Sequence, residues 1–211
     1  MSGWMQTVTG GSFTLRADAQ VAPESIRPVD IAWALATTNR FGGHALLPVS
    51  VAEHSLGVMA RVPERLRLCG LLHDAPEAYM QDITSPMGEL FDEISGGRFK
   101  QWKKKFHREV YRVLGLPQLS ADDRQVIKEA DLRQLQWEKH SRMAESEEAW
   151  GLQFPPGDPT SPELGWSLIP QDSHPVVVFE NFARAWCELV EGLSYRRDFR
   201  APLGQLLRVL G

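Results

Sequence analysis

The sequence predicts an all-α bundle with a small β-hairpin appended at its N-terminus. Three observations carry this prediction. Helix start signals stand at Pro28, Ser50 and Ser120, apolar residues after them recur at three- and four-residue steps, and β-type alternation is confined to one short N-terminal stretch. The chain has 211 residues, enough for one domain that buries roughly 70% of its unfolded surface without disulfide or metal staples. Its 43% hydrophobic and 24% charged residues are ordinary globular values and exclude disorder as the main theme. A net charge of -4 leaves no basic excess for broad contact with a nucleic-acid backbone. Neither an 18-residue apolar run nor a basic start followed by an apolar block occurs, so a soluble, cytoplasmic protein with no membrane contact is expected. The only cysteines, Cys69 and Cys187, lie in apolar helix-like stretches and read as buried free thiols.

The elements follow in order. Met5 to Leu15 alternates β-formers around Gly10-Gly11, which predicts a hairpin with a two-residue turn. Pro28 opens a helix over Val29 to Thr38 that breaks at Arg40-Phe41-Gly42-Gly43. Ser50-Val51-Ala52-Glu53 has capping-box spacing and opens a helix stopping near Pro63. Glu64 to Met80 carries Leu68, Leu71, Leu72, Ala75 and Tyr79, a pattern for a helix at the bundle centre, kinked or broken at Pro76 just beyond His73-Asp74. Phe99 to Leu114 is amphipathic, with Lys103, Lys104, Lys105 and Arg108 assigned to its solvated side. Ser120 starts a long helix through Trp137, and its first turn is acidic. Residues 154–175 hold six of the 14 prolines and read as a long irregular loop, after which Val176 to Leu193 resumes a helix. No repeat and no boundary divides the chain, so 1–211 is read as a single domain.

Chemistry concentrates at His54, His73-Asp74 and Asp131, each among apolar neighbours on a different predicted helix. Buried acids and imidazoles are costly unless paired or bound to metal. Two His and two Asp from three helices suit one divalent cation with positions left for water and substrate. Glu77 follows His73 by four residues, so a continuous helix sets its carboxylate on the same face, and Asp82 lies just beyond. Both are placed to take a proton from metal-bound water. Cys69 reads as a small buried side chain, and His107, His140 and His174 as surface residues without partners. His44 is either solvent-facing or a substrate contact.

The ordered set His54, His73-Asp74, Asp131 resembles the H…HD…D signature of HD-domain metal-dependent phosphohydrolases. The likeness takes in Asn39-Arg40-Phe41, Ser50 to Ser55, Leu72 to Glu77, Asp82, Pro86 and Lys128 to Asp131, over about residues 26–140. In this wording the chain is similar to the branch of 5′-deoxynucleotidases and phage-type deoxynucleoside triphosphohydrolases. The resemblance implies that His54, His73, Asp74 and Asp131 hold one divalent metal ion (Mn²⁺, Co²⁺, Zn²⁺ or Mg²⁺) and that Glu77 and Asp82 activate or orient the attacking water. It further implies a phosphate-binding role for Arg40, an aromatic beside it in Phe41, and a substrate contact in Lys128. Read without the resemblance, Arg40 can be a helix C-terminal cap, Phe41 a core or lid aromatic and Lys128 a surface lysine. Met87-Gly88 stands where many relatives carry a lysine after the proline. The expected activity is therefore removal of the 5′-phosphate from (deoxy)nucleoside monophosphates, with dNTP triphosphohydrolysis as the alternative and a non-catalytic nucleotide-binding domain as the third reading. The expected partner is a small nucleotide, not polymeric nucleic acid; a homo-oligomer is left open.

Overall fold

In a computed structural model, residues 3–156 and 174–190 are described. The fold is all-α, and its small N-terminal sheet pairs β1 (Met5–Gln6) antiparallel with β2 (Ser12–Phe13), Met5 opposite Phe13. The expected two-residue turn is instead a five-residue loop, Thr7 to Gly11, closed by the Thr7 N–H on the Gly11 carbonyl at 2.9 Å. The reason lies outside the hairpin. Asp30 accepts both the Thr9 N–H and the Thr9 hydroxyl at 3.0 Å, which draws Thr9 out of the ladder and onto the helix that follows. Phe13 is buried, stacks on Tyr79 at 4.0 Å between centroids and meets the edge of Phe106. Phe13 and Met5 thereby hold the hairpin to the core, and Thr9 holds it to α1.

Helix α1 (Pro28–Thr37) begins with proline at its first turn, where a missing N–H carries no penalty. A loop with a single 3-10 turn, Phe41–Gly43, then leads to α2 (Val51–Arg61). The capping box forms as expected: the Ser50 hydroxyl accepts the Glu53 N–H, and the Glu53 carboxylate accepts the Ser50 N–H at 2.8 Å. Every residue from Val51 to Val58 is buried, so α2 is the helix at the bundle centre. That place was expected for Glu64 to Met80, and the expectation needs correction. The segment divides into a 3-10 turn (Glu64–Leu66), α3 (Arg67–Leu71), an irregular turn and α4 (Glu77–Met80). Pro76 lacks an N–H and disfavours helical backbone at Ala75, so the chain leaves the helix at Leu72, before His73-Asp74. His73 and Asp74 sit on a turn between two short helices.

Helix α5 (Ser85–Ile94), not anticipated from the sequence, has no buried residue and reaches α6 (Arg98–Val113) through Gly96 and Gly97, whose positive φ of 61° and 80° makes the corner. Helix α7 (Ala121–Arg142) is capped by the Ser120 hydroxyl on the Asp123 N–H. Helix α8 (Pro175–Leu189) is followed by an extended Val190 (φ −107°), and the expected end at Leu193 lies outside the described residues. The proline-rich stretch 154–175 falls largely outside the described residues. Among those described, no helix is long and apolar enough to cross a membrane.

Helices α1, α3, α7 and α8 pack around α2. The main core joins Phe13, Ile31, Leu35, Leu71, Leu72, Tyr79, Phe106, Phe182 and Trp186, and a smaller cluster joins Val58, Cys69, Ile127 and Ala130 where α2, α3 and α7 meet. At the α2–α7 crossing the buried Gln134 amide packs directly on Gly57. A Cβ built on Gly57 would lie 2.4 Å from the Gln134 side chain. Gly57→Ala should therefore destabilise the protein by about 1–3 kcal/mol, the usual range for overpacking a filled interior. Urea unfolding of the two proteins checks this, and equal midpoints would mean that α7 can retreat freely.

Candidate functional site

The site grows from one buried carboxylate. Glu138 lies on α7 with no exposed surface; its Oε1 is 2.8 Å from His54 Nδ1, and its Oε2 accepts from Arg40 Nε at 2.9 Å. Gln134, one turn earlier, donates its Nε2–H to Glu138 Oε1 at 2.9 Å. With Nδ1 engaged by a carboxylate, Nε2 is the His54 nitrogen left without a hydrogen-bond partner among the described residues. His73 is set in the same way: its Nδ1 donates to the Gly70 carbonyl at 2.9 Å. Both Nε2 atoms are buried and make no hydrogen bond among the described residues.

These two bare nitrogens face the same carboxylate. Asp74 Oδ2 is 3.0 Å from His73 Nε2 and 3.8 Å from His54 Nε2. One ligand-type atom from each of His54, His73 and Asp74 lies within 4.8 Å of the others, the spacing a single metal ion needs. Asp131 joins through His54, its Oδ1 being 3.2 Å from Nε2 but out of line for a hydrogen bond. Imidazole and carboxylate donors fit Zn²⁺, Mn²⁺, Co²⁺ or Mg²⁺, with bare His nitrogens favouring the first three. The four side chains expected to act as ligands are thus brought together, three of them mutually and the fourth beside His54.

The electrostatics agree with a place built for a cation. Burial and Arg40 oppose charge on His54, yet Glu138 and Asp131 outweigh them and lift its pKa to about 9. Burial works to raise Asp74 and Asp131, but the neighbouring imidazoles hold both below the usual carboxylate range. Glu77 behaves oppositely. It is buried, one oxygen has no partner among the described residues, and burial together with Asp74 and Asp82 pushes its pKa well up. Asp82 is raised by burial and Asp74, while Arg40 and the Phe41 N–H, 3.2 Å away, pull it back. Glu77 therefore reaches the site although the helix expected to carry it there is broken. The turn at Pro76 folds α4 back to the same place.

Arg40 is 8% exposed, its Nη1 is 4.0 Å from Asp74 Oδ2, and the Phe41 ring covers it at 5.3 Å. Phe41 adopts a left-handed φ of 58°, unusual for a bulky residue, and packs on Trp150. Lys128 is exposed and binds Asp131 Oδ2 at 2.7 Å, so its contact is with a ligand-type carboxylate. His44 and His140 are exposed, Cys69 is buried in the smaller core cluster, and His174 caps α8 through Val176 N.

Helix α6 corrects two expectations. His107, assigned to the surface, is half-buried with a buried Nε2 that has no partner among the described residues, and burial lowers its pKa to about 4. Lys103, assigned to the solvated side, is half-buried, unlike Lys104 and Lys105. The Tyr111 hydroxyl donates to the His73 carbonyl. Lys103, His107 and Tyr111 recur every four residues and so share one face, turned towards the His73-Asp74 turn. Glu138 and Gln134 were missed as well, although they fall seven and three residues after Asp131, on its own helix face.

His107 sets an acid limit. Its folded pKa near 4 lies below the ordinary 6.5, so the neutral form stabilises the fold above pH 6.5 and that contribution is lost as pH falls towards 4. At most about 3 kcal/mol is involved. In metal-free protein, denaturant unfolding of His107→Gln between pH 7 and 4.5 should show a shallower loss than the parent chain. Parallel pH slopes would count against a buried neutral His107.

No protein-family model matches the chain. It is 34% identical over 110 residues to the uncharacterized protein YfdR of Escherichia coli K12, the match covering 52% of this chain and 57% of YfdR. It is 33% identical over 138 residues to the uncharacterized protein RCAP_rcc00048 of Rhodobacter capsulatus, covering 61% of this chain and 67% of that protein. At that identity and coverage the chain belongs to the family that the Rhodobacter protein represents.

Proposed function

We propose that the protein is a metal-dependent phosphohydrolase that removes the 5′-phosphate from (deoxy)nucleoside monophosphates. The observation that carries this reading is the pair of bare imidazole nitrogens facing Asp74, with the buried, proton-avid Glu77 beside them. His54, His73, Asp74 and Asp131 would hold one divalent ion. When bound, such an ion supplies acidification of water and neutralisation of phosphoryl charge.

The chain's own residues do the rest. Glu77, whose proton affinity is raised by burial and by Asp74 and Asp82, accepts a proton from the attacking water. Asp82, anchored by the Phe41 N–H, orients the same water. Arg40 turns its terminal nitrogens to the phosphoryl oxygens while Glu138 fixes its Nε, so its fork is set before substrate arrives. Phe41 covers the guanidinium from solvent.

A monophosphate is favoured over a triphosphate because two of the cations at the site, Arg40 and Lys128, are already paired. Arg40 is held by Glu138, and Lys128 by Asp131. A triphosphate brings roughly four negative charges and needs several cations to receive them.

A panel of nucleoside mono-, di- and triphosphates with Mn²⁺, Co²⁺ or Zn²⁺ and product identification tests the reading. Phosphate should be released fastest from monophosphates. Glu77→Gln should retain metal while losing ~10²–10⁴-fold in kcat, the usual share of a general base. Full activity in rigorously metal-free protein would sink the proposal, and triphosphate released from dNTPs at higher kcat/KM would replace monophosphates by triphosphates.

A further inference from the structure

Lys103 is out of keeping with the other lysines of α6. Lys104 and Lys105 are exposed, whereas Lys103 is half-buried on the face that carries His107 and Tyr111. That face is pinned by the Tyr111 hydroxyl on the His73 carbonyl, and the His107 ring follows at 6.2 Å from the Tyr111 ring. Lys103 stands one further turn along, roughly 12 Å from Tyr111 by helical rise. Its positive charge acts on both Glu77 and His107. Among the described residues no carboxylate lies within ion-pairing distance of its Nζ and no hydrogen bond engages it. A cation drawn partly out of water without a partner is costly unless an anion meets it.

The other charges at the site sharpen the contrast. Arg40 is tied to Glu138 and Lys128 to Asp131. Neither can move to an incoming anion without leaving a carboxylate behind. Lys103 can, because its flexible stem ends in three donors with no prior commitment here.

We propose that Lys103 is a phosphate-binding residue of this site, closing on a phosphoryl oxygen of the nucleotide from the α6 side. This rests on the phosphohydrolase reading and assigns it a second cation, delivered by a different element from Arg40. The contact is a point charge and not a fork, so arginine should replace lysine with little loss.

The test uses full-length, Mn²⁺-loaded protein and inorganic phosphate as probe in calorimetric titrations. Lys103→Met keeps the length of the apolar stem and should weaken phosphate about tenfold or more, the usual scale for one charge-assisted hydrogen bond. Lys103→Arg should recover most of that loss. Lys104→Met, on the exposed side, should bind as the parent does, and all variants should carry the same Mn²⁺ and melt at the same temperature within a few degrees. In turnover of deoxynucleoside monophosphates, Lys103→Met should raise KM by a similar factor and change kcat less. Equal phosphate affinity in Lys103→Met and parent overturns the proposal. So does a variant altered only in the pH dependence of kcat, which would make Lys103 a regulator of Glu77. If phosphate binding depends on Lys103 but no nucleotide is hydrolysed, the anion site stands and the phosphohydrolase reading fails. If nucleotides are hydrolysed but phosphate binds independently of Lys103, the phosphohydrolase reading stands and the anion site fails.

Discussion

The site depends on one buried carboxylate that holds both an imidazole and a guanidinium. Glu138 is buried without exposure between His54 Nδ1 and Arg40 Nε, and Gln134 supplies a further donor. A buried charge so placed is stable only while all its partners stay in place. It therefore imposes three conditions at once. His54 must present Nε2 inward, Arg40 must lie flat against α7, and α7 must approach α2 closely enough for Gln134 to reach. The last condition explains why Gly57 stands on α2 one turn beyond His54. One packing contact and one ion pair thus fix a nitrogen of the proposed metal set and the Arg40 guanidinium. Their separation is set by α7, not by a flexible loop.

The second half of the site is held by a failure of helix. Had Glu64 to Met80 continued unbroken, His73 and Asp74 would have pointed along a regular spiral with Glu77 one turn above. Pro76 prevents this. The turn it enforces lets the His73 Nδ1–H find the Gly70 carbonyl, and exposes the His73 carbonyl to Tyr111 of α6. Backbone groups that a helix would have consumed internally become the means of orienting an imidazole and docking another helix. The same turn returns Glu77 to the carboxylate cluster, where burial and its acidic neighbours raise its proton affinity.

Much of this was legible in sequence wherever the determinant is local. The capping box at Ser50, proline at the start of α1 and the Ser120 cap all act within one turn, and each formed where the pattern put it. The ligand-type residues could be found because four acids and imidazoles sat among apolar neighbours, a local anomaly. What escaped is non-local. The hairpin loop lengthened because Asp30, on α1, takes hold of Thr9. The inward face of α6 was misjudged because its polar residues look solvated by periodicity, whereas the Tyr111–His73 contact, with Phe106 and Val110 in the core, turns Lys103 and His107 inward. Glu138 was recoverable in principle: two helical turns after Asp131 it must share that residue's face.

Charge balance gives the arrangement its direction. Asp74, Glu77, Asp82, Asp131 and Glu138 gather around His54 and His73, while Arg40 is engaged by Glu138 and Asp74 and Lys128 by Asp131. Without a further cation the cluster repels any phosphate, and His54 answers by holding a proton tightly, its pKa lifted to about 9. A divalent ion would displace that proton and reverse the sign of the surface a nucleotide meets. On the proposed reading, metal binding is therefore a precondition for substrate binding as well as for chemistry, since these carboxylates both attract the ion and exclude the anion in its absence.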